Sequence, residues 1–336
     1  MKSLTKVFTL LTIIGVLFTG MIFAGGQQEA APAEQSSEQS VDATTPIQDK
    51  DQVVDFVEVQ WSDIAATTAT TRIVLEAAGF ETNSSMVSVP IAFQSLTSGD
   101  VDVFLGDWEP SMKSYTEDLL AEGEIEDHAV NLTGAKYTLA VPSYVAEGGI
   151  KSFGDIADYG EELDYKIYGI EPGNDGNMLI QSMIDENAFG LGDFELVASS
   201  EAGMLAQVRA MRPKEEWIVF LGWEPHPMNT VFDLTYLKGG DDYFGPNYGE
   251  ATVHTIVRPG YAEENPNLGE FFSNLEFTLA MENEIMKDIA DGMQARPAAE
   301  KWLKANPGIL DSWLEGIKTP DGKDALPVVK QNLGVE

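Results

Sequence analysis

Six tryptophans stand in the 336-residue chain, and three of them share a setting that the others lack. Trp61, Trp108 and Trp223 each follow a β-prone run and precede a polar or acidic residue, in WSD, WEP and WEP. Trp217 instead opens an apolar run, and Trp302 and Trp313 lie in a helix-patterned C-terminal region, so these three read as packing residues. A strand-end Trp taken alone is commonly core, because Trp is highly buried on average. Three at equivalent strand ends suggest aromatic faces gathered at one place. The chemistry such faces serve is the holding of a quaternary ammonium group. That group has a full charge but no N–H, so hydrogen-bond acceptors cannot grip it directionally. Each aromatic face in contact contributes ~0.5–2 kcal/mol, Trp being the best. Asp63, two residues after Trp61, adds an acceptor and a negative charge, although an Asp ahead of IAATTATT also reads as a helix N-cap.

Catalytic chemistry finds little support. His128, His226 and His254 are scattered, with no HExxH pair, and there is no GxSxG, P-loop or GxGxxG sequence. No cysteine is present, which excludes a thiol nucleophile, disulfides, a cysteine metal site and a lipid-modified cysteine anchor. Fifty-five acids create close pairs by chance, so Asp100 with Asp102, or Asp241 with Asp242, carry no signal. PDGKD resembles part of a calcium loop but lacks its closing Glu. No catalytic residue, metal or cofactor is expected.

The elements that must position the tryptophans follow from periodicity. VVDFVEV (residues 53–59) reads as a buried strand, and WSDIAATTATTRIVLEAAGF as a helix that Gly79 stops. SMVSVP then reads as a strand, IAFQSLTSG as a short helix and DVDVFLGDW as a third strand. This βαβαβ order predicts a parallel or mixed sheet covered by helices, with ligands bound beyond the carboxyl ends of the strands. The pattern restarts with a strand over 136–142, a helix around 150–160, strand-to-loop YKIYGIEPGND, helix NMLIQSMIDENAF, strand ELVASS, helix EAGMLAQVRAM and strand WIVFLGW. VHTIVRPGYAEENP and the helices after it read as a return to the first sheet. The expected fold class is α/β, with two α/β lobes joined by two crossings and a cleft between them; a single larger sheet is the alternative. Residues 52–136 with 252–336 would form lobe 1, and residues 137–251 lobe 2.

Residues 1–24 read as a cleaved signal peptide, with Lys2 and Lys6 ahead of an uncharged stretch from Val7 to Phe23; a retained anchor is the alternative. Residues 25–51 are rich in Gln, Glu, Ala, Ser and Pro and read as a flexible leader. The net charge of −35 becomes −37 once Lys2 and Lys6 are lost with an acid-free segment. Such a surface repels nucleic acid and anionic lipid, so no nucleic-acid partner is expected; it also concentrates small cations, although solubility alone explains most of the charge. The reading is of an exported, periplasmic protein that is not lipid-anchored.

From about Val53 onward the chain resembles the substrate-binding proteins of glycine betaine, proline betaine and choline ABC importers, most of all the periplasmic choline-binding branch. The motifs are W-x-D in Trp61-Ser62-Asp63, Trp108 in GDWEP, Tyr137 in AKYTLAVP, Asn174 in EPGND and Trp223 in GWEPHPMN. Each motif is weak alone; all occur in the family's order. The resemblance implies a periplasmic substrate-binding fold whose lobes close on ligand. It further implies Trp61, Trp108, Tyr137 and Trp223 around the ammonium, Asp63 and Asn174 at the ligand's polar end, and a monomer that delivers ligand to a permease in the inner membrane. Asn174 also reads simply as a turn residue.

Glycine betaine would place a carboxylate near Asp63, a repulsion of ~1–4 kcal/mol at 4 Å. Choline would place a hydroxyl donor there instead. Pro227, where betaine-binding relatives often carry another Trp, leans the same way, towards choline, while His226 would suit a carboxylate. Three alternatives remain at this level: a betaine binder, a capture protein for polyamines or amino acids, and an α/β enzyme acting on choline esters.

Overall fold

The computed structural model describes residues 49–336, so the expected signal peptide and nearly all of the leader lie outside the described residues. Nine strands form one continuous mixed sheet in the order β2-β1-β3-β9-β4-β7-β5-β6, with β8 also on β4. The strands are β1 (Val53–Glu58), β2 (Glu81–Met86), β3 (Val103–Glu109), β4 (Glu126–Pro142), β5 (Lys166–Tyr168), β6 (Glu195–Val197), β7 (Val219–Glu224), β8 (Leu234–Tyr236) and β9 (Glu250–Val257). β1 runs parallel to β2 and β3, and β5 runs parallel to β6 and β7. These are two parallel trios, each covered by helices.

The antiparallel strands β4 and β9 connect the trios. β9 pairs with β3 on one side and with β4 on the other. β4 pairs with β9 from Glu126 to Lys136 and with β7 from Lys136 to Ala140, so its partner changes at Lys136. Three register shifts interrupt the β4–β9 ladder, and such irregularities bend and twist a sheet. The α/β class and the two-lobed design expected from the sequence therefore appear as one ladder bent through its middle.

Local physics explains most elements. α1 (Ser62–Ala78) buries Ile64, Ile73, Val74 and Leu75 and ends at Gly79, whose φ of 102° suits a residue without Cβ. Gly106 lets α1 approach β3, because a Cβ there would press on Ile64. Three expectations need correction. The strand after α1 is β2 at 81–86, not 85–90; Val89 and Pro90 open α2 (Val89–Ser98), and proline is well placed in a first helical turn. The strand expected at 136–142 begins ten residues earlier, because the polar stretch Glu126–Ala135 is held by ladder hydrogen bonds to β9 rather than by alternation of its own. The helix expected around 150–160 is a short turn at Phe153–Ile156 followed by a 3-10 turn at Ala157–Tyr159, and a separate helix spans Ser143–Gly148.

The remaining tryptophans serve packing. Trp313 is fully buried against Phe277 and donates its indole N–H to the Glu276 carbonyl. Trp217 packs against Tyr159 with the planes tilted by 40°, and Trp302 donates to Glu284. The PDGKD segment forms an ion-paired turn, Lys323 with Asp321.

Candidate functional site

The carboxyl ends of both parallel trios converge on one cavity of about 280 Å³. Trp61, Asp63, Trp108, Tyr137, Ile170, Asn174, Asp175 and Trp223 line it. All six of the principal residues singled out in the sequence therefore meet at one place, from chain positions up to 162 residues apart. Trp61 precedes α1, Trp108 sits one residue from the end of β3, and Trp223 one residue from the end of β7. Both W-E-P turns contain a cis Glu–Pro peptide. Tyr137 lies on β4, paired directly with Trp223.

The aromatic rings stand at angles rather than in a stack. Trp108 and Tyr137 have centroids 5.9 Å apart with planes at 54°, and Tyr137 meets Trp223 edge to face at 6.3 Å. Tyr137 is fixed from behind by Phe244 at 5.9 Å. All four rings are buried, with Trp61 the most exposed at 7%. Burial, with Asp175 next, pushes the Tyr137 phenol well up, so it stays protonated and donates to Asn174 Oδ1 at 2.9 Å. Gly176 makes room for that hydroxyl, which a Cβ would overlap.

Asn174 is the N-cap of the helix Asp175–Asp185: its Oδ1 also accepts from the Asn177 amide at 3.1 Å, while its Nδ2 donates to Asp175 at 2.9 Å. The acceptor of Asn174 is therefore committed to protein donors, and what remains for a ligand is one N–H. Asp63 is not the N-cap of α1. That position belongs to Trp61, whose side chain makes no cap, and Asp63 is the helix's second residue. Asp63 Oδ2 accepts the Trp108 indole N–H at 3.1 Å, and Oδ1 is buried without a partner.

The electrostatics are one-sided. Among the described residues no Lys or Arg lines the cavity, and the carboxylates that do are Asp63 and Asp175. Burial, then the neighbouring Glu201, raises the Asp63 carboxyl to about 6. Burial likewise raises Asp175 to about 6 against the opposing Ser111 hydroxyl. Asp175 Oδ2, like Asp63 Oδ1, is buried without a partner. Behind them, burial drives Glu282 well up, helped by Asp63, and Asp107 well up, helped by Glu109. Unfilled acceptors, negative charge and aromatic faces together suit a small cation that carries a hydrogen-bond donor.

His226 does not line the cavity. It stands behind Trp223, ring centroids 5.0 Å apart, with Nδ1 accepting the Met228 amide at 2.9 Å and Nε2 3.2 Å from Glu201. Sequence reasoning missed Asp175, Ile170 and the neighbouring Glu171. The only signal for Asp175 in the sequence was its place beside Asn174 in the E-P-G-N-D run.

Residues 52–305 match the family model for the substrate binding domain of an ABC-type glycine betaine transport system. Among solved structures, the chain is similar to an ABC-transporter choline binding protein in complex with choline: 54% identity, 84% of this chain and 98% of that chain covered, TM-score 0.83. Against an ABC-transporter choline binding protein in an unliganded semi-closed conformation the identity is again 54%, over 84% and 99% of the two chains, with a TM-score of 0.78. The glycine betaine/carnitine transport binding protein GbuC of Listeria monocytogenes is 32% identical over 167 residues, which span 50% of this chain and about half, 55%, of that protein. The chain belongs to the family of ABC-importer substrate-binding domains, extracytoplasmic capture proteins and not enzymes.

Proposed function

We propose that this member of the ABC-importer substrate-binding family captures choline, with Trp61, Trp108, Tyr137 and Trp223 enclosing the quaternary ammonium. One observation carries the reading: four aromatic faces surround a cavity whose only charged lining groups are carboxylates. Three or four cation–π contacts sum to several kcal/mol, each being ~0.5–2. The choline hydroxyl would donate to the free Asp63 Oδ1 and accept the remaining Asn174 N–H. Both groups are left over by the protein's own hydrogen bonding.

Glycine betaine is the second reading, favoured by the family description and by the relative from Listeria. Against it stand the absence of any lining Lys or Arg and the engagement of both His226 nitrogens by protein groups. A carboxylate at 4 Å from Asp63 would be repelled by ~1–4 kcal/mol.

Residues 52–136 with 252–336 form one lobe in this reading and residues 137–251 the other, in keeping with the change of β4 partner at Lys136 and the start of β9 at Glu250. The higher TM-score against the choline complex than against the semi-closed form fits a closed cleft. Cleavage of a signal peptide over residues 1–24 would free the protein into a periplasm as a monomer, and a sequence without cysteine fits a form with no lipid-modified cysteine.

Intrinsic tryptophan fluorescence titrated with choline, glycine betaine, carnitine and acetylcholine tests the assignment. Choline should bind most tightly, and acetylcholine, which lacks the hydroxyl donor, more weakly. Silence towards all four would refute it.

A further inference from the structure

Two partly buried carboxylates outside the cavity lining tie together tryptophans that come from opposite halves of the sheet. Glu171, just past β5, accepts the Trp61 indole N–H at 2.7 Å. Glu201, at the start of the helix Glu201–Met211, accepts the Ser62 backbone N–H on Oε2 at 3.0 Å and faces His226 Nε2 through Oε1 at 3.2 Å. Ser62 is the first residue of α1, and its N–H has no partner within the helix. Because His226 Nδ1 accepts from the Met228 amide, its ring proton is on Nε2 and is donated to Glu201. The His226 ring in turn lies edge to face against Trp223.

Resting on the capture reading above, we infer that Glu171 and Glu201 form a clasp that locks the closed cavity and holds Trp61 and Trp223 in place. β1 and the β5–β6 pair are separated in the sheet by β3, β9, β4 and β7, so these bonds exist only when the two halves meet. Glu171 fixes the plane of the Trp61 indole from the far half. Glu201 receives one donor from each half: Ser62 from the side of Trp61, and His226 from the side of Trp223. The clasp makes no contact with the ammonium itself. It acts as a positioning device, completing the aromatic enclosure and opposing its reopening. Burial works against the charge on Glu201, but the hydrogen bonds from His226 and Ser62 outweigh it and hold the carboxyl below its usual range. The acceptor is thus anionic at neutral pH.

This role separates rates. An interaction made only after closure slows dissociation and leaves encounter untouched, as most interface contacts do. Glu201→Gln offers one carbonyl oxygen to two converging donors and turns an NH2 towards the other. By stopped-flow fluorescence on the full chain, choline dissociation should accelerate about tenfold, with association within about twofold of wild type. Glu171→Ala should behave likewise, whereas Glu171→Gln retains an acceptor for the indole and should dissociate at close to the wild-type rate. Ser62→Pro supplies an independent arm. It removes the N–H at a first helical position, where proline is favoured, after a Trp61 already extended at φ −116° and ψ 149°. It too should speed dissociation while leaving the ligand-free melting temperature unchanged. Wild-type dissociation rates in Glu201→Gln, Glu171→Ala and Ser62→Pro, in a protein that binds choline, overturn the clasp alone. A wild type that binds none of the four compounds overturns the functional reading and the clasp with it.

Discussion

Trp108 donates its indole N–H to one oxygen of Asp63 at 3.1 Å and leaves the other oxygen buried without a partner. A cage ring thus orients the carboxylate that must meet the polar end of the ligand. The same bond ties the Trp108 plane to α1, so enclosure and hydrogen bonding are set by one contact.

Asp63→Asn keeps an acceptor for Trp108 but removes the charge and turns an amide N–H towards the ligand hydroxyl. Choline affinity should fall about 10- to 100-fold, the range for losing a charged hydrogen bond of ~1.5–3 kcal/mol. Glycine betaine should lose less, or gain, because a carboxylate no longer meets a carboxylate. Isothermal titration of both ligands distinguishes these cases; equal losses would detach Asp63 from specificity.

Affinity should depend on pH with a definite sign. Asp63 and Asp175 are held at about 6 in the empty cavity, above their ordinary 3.8. In the empty protein the protonated forms are favoured, so the stability they contribute is complete below pH 3.8 and is lost as pH rises through 6. A cationic ligand prefers the ionised forms and therefore releases protons on binding. Choline affinity should weaken about tenfold from pH 7 to pH 5 for each carboxylate that must ionise. Titrations in two buffers of different ionisation enthalpy should show proton release near pH 6; affinity independent of pH from 5 to 7.5 would contradict this.

Tyr137 has two separable parts. Tyr137→Phe retains the ring facing Trp108 and Trp223 but loses the bond to Asn174, so choline affinity should stay within a few-fold of wild type. Tyr137→Leu removes the aromatic face and should lose about tenfold or more, as should Trp61→Ala and Trp223→Ala. Equal effects of Phe and Leu in a fluorescence titration would assign the work to the hydroxyl instead.

Asn174 caps a helix as well as lining the cavity, and the two roles respond to different variants. Asn174→Ala should lower stability by about 1 kcal/mol, the usual loss of an N-cap, and weaken choline binding. Asn174→Ser retains a good N-cap without the amide N–H, so stability should hold while the ligand's hydroxyl oxygen loses its donor. Denaturant melts of the ligand-free proteins, paired with titrations, separate the two effects.

The long strand β4 shows where sequence periodicity stops being informative. Its apolar half, Lys136–Pro142, is a β-prone run buried continuously from Tyr137 on, and the sequence marks it. Its polar half is extended only because β9, more than a hundred residues later, supplies hydrogen-bond partners. Asp63 shows the same division at the site: its type and its distance from Trp61 were legible, but both cap and ligand roles fitted. The helix begins at Ser62 and the Trp108 indole occupies one carboxylate oxygen, which decides against the cap.

The amino-acid sequence by itself determined the α/β alternation, the strand-end tryptophans and the ordered motifs that bring Tyr137, Asn174 and Trp223 into the same set, because periodicity and turn chemistry are written in neighbouring residues. Tertiary structure alone decided which of fifty-five acids matter. Asp175, Glu171 and Glu201 look like any surface carboxylate in the chain. They differ only through desolvation and through donors contributed by Trp61, Ser62 and His226, partners that the fold delivers from far along the sequence. Desolvation and long-range hydrogen bonding are properties of the packed neighbourhood, and no local pattern encodes them.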